Sequence, residues 1–188
     1  MKLSLRVAMV CFLISVAISL GFYFAGEFAS GVELGGLWKM FLLLVAIAMS
    51  LYLTKRAANF EQKTFVEDLK VAMQGGIVFV VLISLFTYVF HSSVDTSYVD
   101  KKLTERLEYN LKNVPNEKVY KEEVQANDPS WKDKSYLDFL ENQEDQAGPI
   151  LSAKSLGIGH LGLGVFLTFF FSIAATFVIR KIVLYELN

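Results

Sequence analysis

Apolar residues fall into four long runs separated by polar segments. Val7–Ala25, Met40–Thr54, Val71–Phe90 and Leu156–Ile179 contain no Asp, Glu, Lys or Arg. A helix rises about 1.5 Å per residue, so roughly 20 apolar residues cross the hydrocarbon core of a bilayer. The first, third and fourth runs meet that length. The second meets it by starting near Gly36, which puts Trp38 and Lys39 at a helix end. An indole suits the interfacial belt there, and a lysine stem reaches back to the headgroups. The pattern predicts four transmembrane helices. The first run exceeds the apolar stretch of about 7–15 residues in a cleaved signal, and Phe22 and Phe24 spoil a small-residue cleavage site, so it reads as a span.

Basic residues between the spans set an expected direction. Lys2 and Arg6 precede the first span, Lys55, Arg56, Lys63 and Lys70 lie between the second and third, and Arg180 and Lys181 follow the fourth. The first loop, Gly26–Gly35, holds Glu27 and Glu33 and no basic residue. Four crossings place all three basic segments on one side, which predicts N-in and C-in in a bacterial inner membrane. The expected organisation is therefore three spans over residues 1–90, an extracytoplasmic insertion over 91–155, and a last span with a short tail over 156–188. Within residues 55–70, Phe60, Phe65, Val66 and Leu69 alternate with charge as an amphipathic interfacial turn requires. Gly75-Gly76 reads as a soft point where that link enters the third span.

The insertion is the one segment large enough to form structure outside the bilayer. Val99, Leu103, Leu107 and Leu111 recur every four residues, predicting a helix over 96–114 that Pro115 ends. Val119, Tyr120 and Val124 suggest a second short helix, and Trp131, Tyr136, Leu137 and Leu140 a third. Gly148-Pro149 is expected to turn the chain back to the membrane. With 13 acidic and 9 basic residues among so few apolar ones, a small helical cap is expected rather than an independent domain.

Charge and candidate chemistry narrow the function. The formal net charge is −1, which gives no case for nucleic-acid binding. One cysteine and two histidines cannot supply a metal constellation, so no metal or cofactor is expected. His91 and His160 read as polar residues at span ends. Asp138, Glu141, Glu144 and Asp145 lack the spacing and turn glycine of a calcium loop and read as a solvated helix face. No nucleophile arrangement and no phosphate-cradling loop is present, so the chain is read as non-enzymatic. Charge-free spans also argue against an ion-coupled pump. Their hydroxyls, among them Ser15, Ser50, Ser84, Thr87, Ser172 and Thr176, are expected to bond within or between helices.

What the spans offer is close packing. Ala17, Gly21 and Ala25 repeat every four residues on the first helix, as do Ser155 and Gly159 at the start of the last. Small residues at that spacing let helices approach closely. Both rows are expected to pack within the bundle, with one row serving a partner as the alternative. Lys55, Arg56, Arg180 and Lys181 are possible headgroup contacts.

The layout also resembles a known group. Four spans, a short first loop, an amphipathic link and a long charged insertion are similar to a membrane family of Bacteroidota, domain of unknown function 4199. The stretch from Lys63 to Gly76, KTFVEDLKVAMQGG, resembles that family's aromatic, charged turn and glycine entering the third span, and Val178-Ile179-Arg180-Lys181 suits its usual end. The resemblance implies no catalytic residues. Members of that family often lie near genes for polyprenyl-phosphate glycosyltransferases, which is an association and not a mechanism. Two functions follow as expectations: an accessory or structural subunit of a larger membrane complex, surrounded by lipid and other subunits, or a lipid-handling partner of such a glycosyltransferase.

Overall fold

In a computed structural model the described residues are 2–26 and 28–186, with side chains described for 2–26 and 36–182. These residues contain helices and no strand. The order is α1 (Leu3–Phe24), α2 (Phe28–Ala57), α3 (Phe65–Ser93), α4 (Ser97–Asn113), the single turn α5 (Glu117–Val119), α6 (Tyr136–Leu151) and α7 (Ala153–Glu186). A π-turn over Tyr120–Gln125 and a 3-10 turn over Pro129–Trp131 join α5 to α6. The apolar runs lie in α1, α2, α3 and α7, which are long and apolar enough to cross a membrane over Leu3–Phe24, Gly36–Ala57, Phe65–Ser93 and Ala153–Ile182. The chain is an all-α, multi-pass membrane protein.

Two boundaries differ from expectation. The first loop shrinks to a turn at Ala25 and Gly26, where Gly26 takes φ +73°, and the backbone is already helical from Phe28. Glu27 and the side chain of Glu33, assigned to that loop, lie outside the described residues. The link between α2 and α3 is a tight turn rather than an interfacial helix. Asn59 and Phe60 both have positive φ there, reversing the chain within a few residues. Lys63–Lys70 instead spans the start of α3, where Thr64 and Glu67 exchange hydrogen bonds that cap the helix.

The structure divides into two compact units, residues 1–86 with 158–188, and 87–157. In the first, the Ser50 hydroxyl donates to the Ser4 carbonyl at 3.4 Å, so the start of α1 meets the second half of α2. The buried face of α1 is Ser4, Ala8, Cys11 and Ser15. Phe12 meets Phe86 of α3 edge-on at 6.4 Å, and Phe65 of α3 meets Phe177 of α7 at 5.0 Å. These contacts place the start of α1, the end of α2, the start of α3 and the end of α7 together. We call this the basic end, since all three basic segments converge on it.

Gly75 and Gly76 are not a soft point. They lie inside an unbroken α3, and both are buried. A Cβ on Gly75 would overlap the Ser50 side chain and stand 2.9 Å from the Ala46 carbonyl oxygen of α2. One on Gly76 would lie 2.5 Å from Thr168 of α7 and 2.8 Å from Ile47 of α2. The absent side chains are where α2 and α7 approach α3 most closely, as small residues permit in membranes.

The second unit is held by aromatic packing. Tyr120 is fully buried, with its ring 5.3 Å from Phe139, 5.8 Å from Tyr136 and 6.5 Å from Trp131. Asn110 of α4 donates to Gln143 of α6, and the Tyr136 hydroxyl donates to the Val114 carbonyl. Ser135 and Asp138 form a capping box at the start of α6. Hydrogen bonds from the Ser135 amide and hydroxyl hold the Asp138 carboxyl below its ordinary range. Leu137, expected in the apolar stripe, is 74% exposed. The buried face of α6 runs instead through Phe139 and Ala147. Pro149 does not turn the chain: α6 continues to Leu151, since a proline there removes only one bond in the last turn. Ser152, with extended backbone, makes the turn.

Candidate functional site

The first unit buries one carboxylate among charges from three helices. Lys55 in the last turn of α2, Asp68 in the first turns of α3 and Arg180 near the end of α7 converge at the basic end. The Asp68 Oδ2 atom accepts from Lys55 Nζ at 2.9 Å and from an Arg180 guanidinium nitrogen at 2.7 Å. The same guanidinium nitrogen also donates to the Lys63 carbonyl at 2.8 Å, which ties in the α2–α3 turn. The side chains of Asp68 and Lys55 are 2% and 7% exposed, against 30% for Arg180. Two cations on one carboxylate leave an excess positive charge, and the more exposed arginine keeps part of it near water. Burying ions is costly unless they are paired, and the deeply buried part of this group is the Lys55–Asp68 pair.

The Asp68 side chain is 2% exposed, and its Oδ2 is already shared by two donors. The arrangement suits a fixed tie between α2, α3 and α7. A second polar contact joins α2 to α7 away from the basic end, where Lys39 Nζ stands 3.3 Å from His160 Nε2. An ammonium only donates, so that ring nitrogen presents its lone pair. Lys39 was expected to reach the headgroups and turns to a histidine instead. His91 is buried and stacks on Tyr98 with ring centroids 4.7 Å apart. Among the described residues no three His, Cys, Asp or Glu side chains come together as a metal site. Asp138, Glu141, Glu144 and Asp145 are all exposed.

The residues expected to pack or to meet headgroups are sorted differently by the structure. Lys55 and Arg180 are committed to Asp68, whereas Arg56 and Lys181 are exposed. Ala17, Gly21 and Ala25 are exposed, and a Cβ on Gly21 would meet nothing within 4 Å. Among the described residues nothing packs on this row; α1 turns its Ser4–Ser15 face to α2 instead. Gly159 is exposed and equally open, and Ser155 bonds locally to Ser152 and the Pro149 carbonyl. The packing row of α7 is Gly164, Thr168, Ser172 and Thr176, where a Cβ on Gly164 would stand 2.6 Å from Val80 of α3. Its period of four was visible in the sequence; nothing there distinguished Asp68 from the adjacent Glu67 as the acid that Lys55 and Arg180 meet.

No protein-family model, curated protein or solved structure matches the chain. The chemistry therefore rests on its own residues.

Ser172 and Thr176 add one test. Both are fully buried, and their hydroxyls find no hydrogen-bond partner among the described residues. An unsatisfied buried hydroxyl costs about 1–3 kcal/mol. Removing it is expected to be neutral or stabilising, so Thr176→Val and Ser172→Ala should leave the thermal midpoint in detergent unchanged or raised. A clear fall in either variant would show that the hydroxyl makes a bond in the folded protein.

Proposed function

We propose that the chain is a non-enzymatic accessory subunit of a larger complex in a bacterial inner membrane. We further propose that it sits N-in and C-in, with residues 91–155 outside, and that it belongs to the family it resembles. The observation that carries this reading is the open small-residue face of α1. Ala17, Gly21 and Ala25 have the spacing of a close helix–helix contact, and no described residue of the chain fills it. Small residues do little for a helix that only faces lipid, whereas they admit a neighbouring backbone closely. The charge pattern supports the rest of the reading. Asp68, the acid buried at the basic end, is neutralised by Lys55 and Arg180, which fits a scaffold better than a transport or hydrolytic centre.

The lipid-handling alternative is less well supported by the residues first assigned to it, since Lys55 and Arg180 are occupied by Asp68. The test is co-purification in mild detergent. Gly21→Leu places four added heavy atoms on a surface with free space in this chain, so the protein should accumulate normally while its membrane-protein partner is lost. Met9, 37% exposed, lies about 120° around the helix from Gly21, off the Ala17–Gly21–Ala25 row. Met9→Phe should keep the partner. Undiminished co-purification in Gly21→Leu would rule out docking through this face.

A further inference from the structure

A groove of about 410 Å³ opens at the basic end, between the start of α1, the end of α2 and the first turns of α3. Lys2, Lys63 and Lys70 line it, with Glu67 as its acidic residue. Among the described residues none of the three lysines lies within ion-pair distance of a carboxylate; the buried acid nearby, Asp68, is taken by Lys55 and Arg180. Glu67 is engaged as well, accepting from the Thr64 amide at 2.9 Å and the Thr64 hydroxyl at 3.0 Å. The groove therefore presents three ammonium groups outside ion-pair distance of a carboxylate, of which Lys63 is near enough to attract the Glu67 carboxylate, beside a buried cluster that itself carries excess positive charge.

Two further features say what would fill it. The start of α1 lacks a side-chain cap: Lys2 occupies the cap position and makes no such hydrogen bond. The first-turn amides of a helix have no intrahelical acceptors and, with the helix dipole, favour an anion. The start of α3 is closed by its Thr64–Glu67 box, so the helix start without a side-chain cap is that of α1, whose Leu3 and Ser4 line the groove. The wall also carries Val71 and Leu3, and it belongs to helices that continue as apolar spans. Charge at the rim with apolar surface below is the profile of a molecule with a phosphate head and acyl chains. We propose that this groove binds the headgroup of one anionic glycerophospholipid, its phosphate held by Lys2, Lys63 and Lys70 and capping α1. Basic pockets between membrane helices recognise such headgroups elsewhere. The site is distinct from Arg56 and Lys181, which are exposed and line no part of the groove. It needs only the bilayer and does not depend on the chain being an accessory subunit.

The experiment is native mass spectrometry of the full chain, extracted into mild detergent from vesicles of phosphatidylglycerol and phosphatidylcholine in equal amounts. The wild type should retain one phosphatidylglycerol at least about tenfold over phosphatidylcholine. Each lysine near a membrane surface is worth roughly fivefold in binding an anionic lipid. The single changes Lys2→Gln, Lys63→Gln and Lys70→Gln should each lose about that factor, and the triple variant should lose the preference altogether. Because all three side chains are exposed, the thermal midpoint without added lipid should not move. The control Arg56→Gln/Lys181→Gln should retain the lipid. Equal retention by the triple variant overturns the site, and equal loss in the control shows attraction to overall charge instead. Excess inorganic phosphate, which lacks acyl chains, should leave the lipid bound; complete displacement would show a site for the soluble anion and overturn the lipid assignment.

Discussion

Asp68→Asn should lower the stability of the bundle by about 3–5 kcal/mol, the cost of leaving a buried charge without its counter-ion. The asparagine keeps the shape and loses the charge, so Lys55 and Arg180 would face each other at the end of α2 and α7 with nothing between them. Lys55, only 7% exposed, has the least room to reach water and carries most of the effect. Arg180→Gln should cost far less, about 1 kcal/mol or under, because the guanidinium is 30% exposed and its removal leaves Lys55 and Asp68 as a neutral pair. Lys55→Met combined with Asp68→Leu should recover most of what Asp68→Asn loses, since apolar residues of similar size often replace a buried ion pair without penalty. Thermal unfolding of the three variants beside the wild type in one detergent orders them. Asp68→Asn matching Arg180→Gln would mean that Lys55 reaches solvent and that the three-helix tie contributes little.

Gly75→Leu is expected to prevent normal accumulation of the protein. Even a Cβ at this position overlaps the Ser50 side chain, with Ser50 Cβ at 2.7 Å and the backbone oxygen of Ala46 at 2.9 Å. A carbonyl held in α2 cannot swing aside as a flexible side chain can, so α2 and α3 must separate. Overpacking typically costs about 1–3 kcal/mol, and a leucine here falls at or beyond the upper end of that range. Gly75→Ala should show a milder form of the defect, and adding Ser50→Gly should recover part of it by clearing the nearest atoms. Gly21→Leu, with nothing within 4 Å, should fold like the wild type. Membrane levels and monodispersity in detergent separate the cases. Wild-type behaviour of Gly75→Leu would place the α2–α3 crossing elsewhere.

These contrasts mark what the sequence disclosed. The spans were legible because bilayer thickness sets a length, and charge-free runs announce it without reference to tertiary contacts. The α4 helix was legible for a related reason: Val99 to Leu111 repeat at one period, and Pro115 stops them. Faces were harder. Every span is apolar all round, so periodicity cannot say which side meets a helix and which meets lipid. Ala17, Gly21 and Ala25 and the row of Gly164, Thr168, Ser172 and Thr176 share a period, yet the first is exposed and the second is buried. Gly75-Gly76 carried a second ambiguity, because a glycine pair suits both a flexible joint and a close crossing; Ser50 and Ile47 opposite it decide for the crossing. The charge cluster was missed because its members lie far apart in the chain. Lys55 and Arg180 each read as an orientation signal and Asp68 as a charge at a helix start, and only the meeting of the ends of α2 and α7 with the start of α3 brings them onto one oxygen.

The most direct test of the accessory role is to ask what lies against α1 in the intact membrane. A photo-crosslinking amino acid at Gly21, compared with one at Met9, samples two faces about 120° apart without extraction into detergent. An accessory subunit predicts a discrete protein adduct of defined mass from position 21 and mainly lipid adducts from position 9. Lipid adducts alone from both positions, at normal protein levels, would contradict it.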